Sequence, residues 1–241
     1  MSPPVVAVWG SNGYLGSRFV EMLSSRTTVE RIDRRQLPRE AAICIDSSFP
    51  VHYKSSSVAA TYLRTVEARC RWAADTGRTY LYIASTSSLA PVTSVYGRVK
   101  RSAEETALGH GHQLVRVGLV VSQSPGGRYD QLARIVRALP IVPIPSTTEF
   151  HLYVTDLADL LTCIDAQIPR EGQATRDLLV PGTRPSTLAE LLGDLVEPRQ
   201  RVVPLGPRVS ALAARVARSL HVGSLDSLAS IAGARQQRPE S

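Results

Sequence analysis

Tyr96 and Lys100 are the two side chains in this sequence whose types and spacing fit one another for chemistry. Four residues apart, they fall on one face of a helix, where the ammonium favours the phenolate and draws a phenol of ordinary pKa about 10 toward use as a proton donor and acceptor near neutrality. Lys54 and Lys100 are the only lysines among 28 basic residues, so a lysine at that spacing stands out from an arginine-rich background. Upstream, the apolar run Tyr80 to Ala84 ends in Ser85-Thr86-Ser87-Ser88. That places four hydroxyls where an open parallel sheet presents ligand-binding groups, at the carboxyl end of a strand.

A second constellation supplies a nucleotide. The run Val5-Val6-Ala7-Val8-Trp9 leads into Gly10-Ser11-Asn12-Gly13-Tyr14-Leu15-Gly16 and then into an amphipathic segment. This is a strand, a tight turn and a helix whose first N–H groups face a phosphate. Gly10, Gly13 and Gly16 permit close approach because they carry no Cβ, and Ser11, Asn12, Tyr14 and Leu15 complete the cradle expected around a dinucleotide pyrophosphate. Asp33 follows Gly16 by 17 residues, close to the interval at which an acid grips the adenosine ribose. Arg34 and Arg35 pull the other way, since a guanidinium attracts the 2′-phosphate that a carboxylate repels. The balance predicts NAD, with NADP possible.

With the glycine turn, the hydroxyl cluster and Tyr-x-x-x-Lys in place, the chain resembles the short-chain dehydrogenase/reductase family. It is most similar to the extended or atypical branch that includes nucleotide-sugar epimerases and dehydratases. Leu114-Val115-Arg116-Val117-Gly118 is similar to that family's strand after the catalytic helix, and His151-Leu152-Tyr153-Val154-Thr155-Asp156-Leu157-Ala158 to a later segment, so the likeness spans about residues 4 to 195. The resemblance implies that Tyr96 exchanges a proton with a substrate hydroxyl or carbonyl. Lys100 would hold the nicotinamide ribose and Thr86 would bind the reacting oxygen, with Ser85 and Ser87 as rivals. It also implies a homodimer formed through the helices at Val58–Ala74 and Tyr96–Leu108. His151, Asp156 and Arg116 are read chiefly as structural. Only nine residues separate Thr86 from Tyr96, fewer than the branch usually places there, which points to a smaller or more exposed substrate.

The elements needed to position these groups follow from periodicity. Strands at Val5–Trp9, Thr28–Ile32, Ala41–Ile45, Tyr80–Ala84, Gln113–Val121, Phe150–Val154 and Arg176–Val180 alternate with helices at Tyr14–Ser25, Val58–Ala74, Val95–Leu108, Gly126–Ala138, from Thr155 or Asp156 to Ile168, and Ser186–Leu195. The prediction is an α/β, doubly wound Rossmann fold: a mostly parallel sheet with helices on both faces and a small C-terminal substrate-binding portion. That portion is drawn from 122–150 and 170–235 of one domain covering 1–235, with a frayed tail over 236–241. Pro140, Pro143 and Pro145 predict a loop, Val209–Leu220 a basic amphipathic helix, and the short link after Asp33 leaves no room for a further helix–strand unit.

Composition narrows the function. The net charge is +7, but the arginines are scattered and not interleaved with aromatics, which argues against nucleic acid and for a small anionic ligand. No apolar run reaches the ~18 residues of a membrane span, and no secretory signal opens the chain, so a cytoplasmic location is expected. Cys44, Cys70 and Cys163 sit in apolar sequence and read as reduced core residues rather than metal ligands or a disulfide framework. The leading expectation is an NAD(P)-dependent oxidoreductase or redox-neutral epimerase acting on a small polar, sugar-like or anionic molecule. A dinucleotide-binding sensor, or an isomerase or cyclase with a structural cofactor, stays open beside it.

Overall fold

The computed structural model describes residues 4–50, 52–89, 94–145, 151–168 and 177–206. Its elements are β1 (Val6–Trp9), α1 (Tyr14–Leu23), β2 (Val29–Ile32), β3 (Ile43–Asp46), α2 (Ser56–Asp75), β4 (Thr79–Ser85), a 3-10 turn (Thr86–Ser88), α3 (Val95–Gly109), β5 (Gln113–Val117), β6 (Leu119–Val121), α4 (Gly127–Ala138), β7 (Ile141–Pro145), β8 (His151–Asp156), α5 (Leu157–Gln167), β9 (Asp177–Leu179), β10 (Arg184–Thr187), α6 (Leu188–Gly193) and β11 (Arg201–Leu205).

Strand residues alternate between two cores, and that alternation fixes the layering. Val6 and Val8, Ile43 and Ile45, and Leu81 and Ile83 point to the face covered by Phe19, Val20 and Leu23 of α1 and by Leu160, Cys163 and Ile164 of α5. Their neighbours Ala7 and Trp9, Cys44, and Tyr80 and Tyr82 point to the opposite face, covered by Tyr62, Val66, Cys70 and Ala73 of α2 and by Val99, Ala103 and Ala107 of α3. Both faces of these strands are therefore dry, as the β-branched runs require of a parallel sheet. The strand order is β2-β1-β3-β4-β5-β9, every pairing parallel. The order reverses at β1, between β2 and β3, so a crevice opens beyond the carboxyl ends of β1 and β3. As the short link after Asp33 predicts, β2 passes directly to β3 and forms the sheet edge.

Three expectations are corrected. The strand predicted over Gln113–Val121 is two strands in two different sheets, because the chain breaks at Gly118. A Cβ there would lie 2.3 Å from the Tyr153 carbonyl oxygen, and the Gly118 N–H donates to Thr155 Oγ1 at 2.9 Å instead of continuing the ladder. The predicted loop through Pro140, Pro143 and Pro145 contains β7, paired in parallel with β11 as a two-stranded sheet. Each of these strands is an edge, where a missing proline N–H costs little. Finally, α6 begins after Thr187 rather than at Ser186. Thr187 Oγ1 accepts from Glu190 N–H while the Glu190 carboxylate accepts from Thr187 N–H, so Ser186 joins β10 against β8.

These later elements enclose a third core of Leu119, Leu132, Ala133, Val136, Val142, Leu152, Val154, Leu191 and Leu195. The three cysteines are buried and unpaired. Burial pushes the Cys44 and Cys70 thiols up to about 12 and raises that of Cys163. No described helix is long and apolar enough to cross a membrane, and no cluster of metal-ligating side chains occurs among the described residues. The predicted helix Val209–Leu220, the tail 236–241 and Arg176 lie outside the described residues.

Candidate active site

The glycine turn is built largely for its own packing. Gly10 has a φ of +77°, and a Cβ there would lie 2.8 Å from Ser48 N. A Cβ on Gly16 would fall 2.2 Å from the Gly10 carbonyl oxygen, so the turn and α1 close only with glycine at both places. Gly13 N–H donates to that same carbonyl at 2.8 Å, and Gly13 opens α1 with no side-chain cap. The first N–H groups of the helix therefore face the crevice and suit an anion. Ser11 is buried and Asn12 exposed within the turn. With no Cβ at Gly13 and uncapped N–H groups at the start of α1, this cradle is one that a dinucleotide pyrophosphate would fit.

Gly13, Tyr14 and Leu15 form one wall of a cleft of about 300 Å³. The other walls come from the end of β4 with Ser85, Thr86 and Ser87, from Tyr96 and Lys100 of α3, from Gly118 to Val120, and from Gly127 and Arg128 of α4. The predicted pair thus faces the same space as the glycine turn. Ser94 sets the start of their helix, accepting from Gly97 N–H at 2.9 Å. Lys100 is 5% exposed. Its Nζ donates to the Ile83 carbonyl at 2.8 Å and to the Tyr82 hydroxyl at 3.2 Å, and stands over the Tyr82 and Phe49 rings at 4.6 and 5.0 Å. Two of its three protons are committed; the third has no partner among the described residues. The Tyr96 ring is held edge-on by Phe49 at 5.0 Å and Tyr53 at 5.6 Å, with the Arg128 guanidinium 5.1 Å from its centroid.

Beneath the hydroxyl cluster lies a buried charge network that sequence reasoning did not find. Glu104 of α3 accepts from Ser85 N–H at 3.0 Å and from the Ser88 hydroxyl at 2.6 Å. Arg116 of β5 donates from Nη1 to Glu104 at 2.6 Å and to Ser88 Oγ at 2.7 Å, and from Nη2 to Asp177 at 2.8 Å. Burial alone would push the guanidinium pKa down; hydrogen bonding to Asp177 and the charge of Glu104 outweigh it and hold it above the ordinary arginine value. Ser88 is thereby turned inward, leaving Ser85, Thr86 and Ser87 to face the cleft. Arg116 and Asp156 are structural, as read from sequence: Asp156 caps α5, accepting from Ala158 N–H at 2.7 Å. The His151 side chain and residues 90–93 lie outside the described residues.

A second network supports the other end. Asp46, wholly buried at the end of β3, accepts from Arg69 Nη1 at 2.6 Å, from the Tyr80 hydroxyl at 2.7 Å, and from Ser48 N–H and Oγ at 2.9 and 2.6 Å. Arg69 Nη2 reaches the Arg34 carbonyl at 2.8 Å, and its guanidinium lies 4.5 Å from the Trp9 ring centroid. Beside it opens a cavity of about 230 Å³ lined by Arg34, Ser48, Phe49, Pro50, Thr61 and Tyr62 among others. Phe49 lines both this cavity and the cleft around Lys100. Asp33 is exposed, and its Oδ1 accepts from Arg35 N–H at 3.2 Å; it is Arg34 that lines the cavity.

No protein-family model and no curated protein matches the sequence. Solved structures do. A dTDP-4-dehydrorhamnose reductase from Bacillus anthracis, crystallised with NADP, superposes with a TM-score of 0.68 at 15% identity, over 86% of this chain and 87% of that one. A dTDP-glucose 4,6-dehydratase from Streptomyces venezuelae with NAD bound gives 0.63 at 14%, over 84% of each chain. The enzyme WbmG of Bordetella bronchiseptica with NAD gives 0.64 at 15%, over 86% and 83%. The fold is the one the resemblance implied. At these identities the likeness carries the architecture, and the site rests on the geometry above.

Proposed function

We propose that the chain is an NAD(P)-dependent enzyme of the short-chain dehydrogenase/reductase type, an oxidoreductase or a redox-neutral epimerase acting at a hydroxyl or carbonyl carbon of a sugar-like, anionic molecule. One observation carries this reading: Tyr96 and Lys100, one helical turn apart on α3, line the same cleft as Gly13 to Leu15 at the start of α1. A bound dinucleotide supplies or accepts hydride there. Tyr96 gives a proton to, or takes one from, the reacting oxygen at the mouth of the cleft. Thr86 donates a hydrogen bond to that oxygen, with Ser85 and Ser87 within the same turn. Lys100, anchored by Ile83 and Tyr82, turns its remaining proton and its charge toward the nicotinamide ribose. Arg128, exposed beside Tyr96, favours an anionic substrate such as the nucleotide sugars named for proteins of this fold, among them UDP-glucose and UDP-glucuronic acid. The third core, which brings Arg128 to the cleft through α4, is the substrate-binding portion. The family resemblance further suggests a cytoplasmic homodimer through α2 and α3, which the mass in solution tests.

The decisive experiment is Tyr96→Phe, assayed for dinucleotide binding by calorimetry and for turnover against a panel of UDP- and dTDP-linked sugars and keto-sugars. Binding should persist and turnover should vanish. Unchanged turnover removes Tyr96 from the chemistry, and a wild type that binds neither dinucleotide removes the whole reading.

A further inference from the structure

A half-buried phenylalanine on the loop after β3 touches both groups on which the proposed chemistry depends. Phe49 meets the Tyr96 ring at 5.0 Å with the two planes 70° apart, and Lys100 Nζ stands over the Phe49 ring, 5.0 Å from its centroid. Among the described residues no hydrogen bond joins Tyr96 to Lys100; the ammonium donates to the Ile83 carbonyl and the Tyr82 hydroxyl instead. Packing therefore sets how the two lie relative to one another, and Phe49 is a ring they share.

The contact matters because Lys100 is buried with no carboxylate paired to it among the described residues. Two rings, Tyr82 at 4.6 Å and Phe49 at 5.0 Å, stand where a counter-ion would be needed. Their negative faces attract the cation without neutralising it, so its charge stays available to the cleft. Phe49 is itself firmly seated. Asp46 Oδ1 accepts from the N–H and the hydroxyl of Ser48, and Arg69 Nη1 donates to that hydroxyl at 2.8 Å, which ties the preceding residue to the buried ion pair. Pro50, which follows and is buried, disfavours helical backbone at Phe49. The Phe49 ring packs in addition on Tyr53 at 5.3 Å and Tyr62 at 5.2 Å.

We propose that Phe49 is a positioning residue for Tyr96 and Lys100 together: its ring orients the phenol and holds the ammonium, so that apolar bulk without a ring does not suffice at this position. The proposal rests on the short-chain dehydrogenase/reductase reading above, which gives the two groups their chemistry.

The chain has only two lysines, and this makes a direct test possible. Protein grown on lysine carrying ¹³C at Cε shows two side-chain signals, assigned with Lys54→Arg. In the wild type the Lys100 ε protons should lie upfield of those of free lysine, because ring currents shield a group standing over a ring face. Phe49→Leu, which keeps apolar bulk and removes the ring, should move them downfield; Phe49→Tyr, which keeps the ring, should leave them near the wild-type position. Turnover of whichever UDP- or dTDP-linked sugar reacts should follow the same order. For Phe49→Leu kcat should fall about tenfold at unchanged KM, the factor that about one ring contact represents, and for Phe49→Tyr it should stay near wild type. An unshifted Lys100 in the wild type, or a Phe49→Leu variant that matches the wild type in lysine spectrum and kcat, overturns the positioning role. A kcat equally low in both variants does so too. If Phe49→Leu does not fold, Phe49→Met takes its place, and the wild-type spectrum is a test that needs no substitution at Phe49. Failure of the wild type to bind either dinucleotide, or unchanged turnover by Tyr96→Phe, overturns the enzymatic reading instead. The lysine spectra, which need neither cofactor nor substrate, then still decide whether Phe49 holds Lys100.

Discussion

Replacing Arg69 by Met tests whether the cavity beside Phe49 rests on a buried ion pair. Arg69 and Asp46 have side chains 2% and 0% exposed and meet at 2.6 Å. Met retains most of the apolar stem, so the change removes charge more than volume. Asp46 keeps three donors, the Tyr80 hydroxyl and both Ser48 groups, but loses the cation that pairs with it. Breaking a buried pair from one side costs about 3–5 kcal/mol. The surviving hydrogen bonds place this case near the lower end, ~3 kcal/mol, and for a chain of this size that lowers Tm by roughly 6–12 °C. Denaturant unfolding followed by circular dichroism gives the free energy directly. The double variant Asp46→Asn/Arg69→Met should be less destabilised than Arg69→Met alone, because no unpaired charge remains inside. A loss below about 1 kcal/mol for Arg69→Met, or a double variant worse than the single, would refute the argument that Asp46 needs its countercharge.

Other perturbations probe the remaining supports. Gly16→Ala drives a methyl to 2.2 Å from the Gly10 carbonyl oxygen, so calorimetry should show dinucleotide affinity lost and melting should show about 1–3 kcal/mol of overpacking. Glu104→Gln sets an amide against the Ser88 hydroxyl and Arg116 donors and should cost roughly 2–4 kcal/mol in urea unfolding; Asp177→Asn, at the exposed end of the same chain, should cost less than about 1. His112 is buried, bonds the Cys70 carbonyl at 2.7 Å, and has its pKa lowered from the ordinary 6.5, chiefly by burial. The unfolded chain then takes the proton first, so this residue's contribution to stability is complete above pH 6.5, falls as the pH drops below it, and levels off below the folded-state pKa. His112→Gln should flatten that slope between wild type and variant melts.

What could be read from the sequence was what depends on local chemistry. The glycine turn, the Tyr96–Lys100 spacing, the Ser85–Ser88 cluster and the two-faced strands are each encoded within a few residues, and the structure brings the first three to one cleft. Elements whose identity depends on a distant partner were not legible. Nothing local says that Pro143 and Pro145 pair with Arg201–Leu205, or that the Tyr153 carbonyl forces the chain to break at Gly118. Buried ion pairs such as Asp46–Arg69 and Glu104–Arg116 look in sequence like ordinary solvated charges, since the two partners are 23 and 12 residues apart. Asp33, whose interval from Gly16 was legible as that of a ribose ligand, stands exposed after β2 with its Oδ1 accepting from the Arg35 N–H at 3.2 Å.

The placement of the thiols has a practical consequence. All three are sealed inside and held far from the thiolate form, so alkylating reagents have nothing to attack while the molecule is closed. Modification of the native chain is then a clock for its opening, with Cys44 and Cys70 timing exposure of the α2 face and Cys163 that of the α1 and α5 face. A single cysteine introduced on the surface could carry a fluorophore without background, giving a direct optical view of the cleft filling.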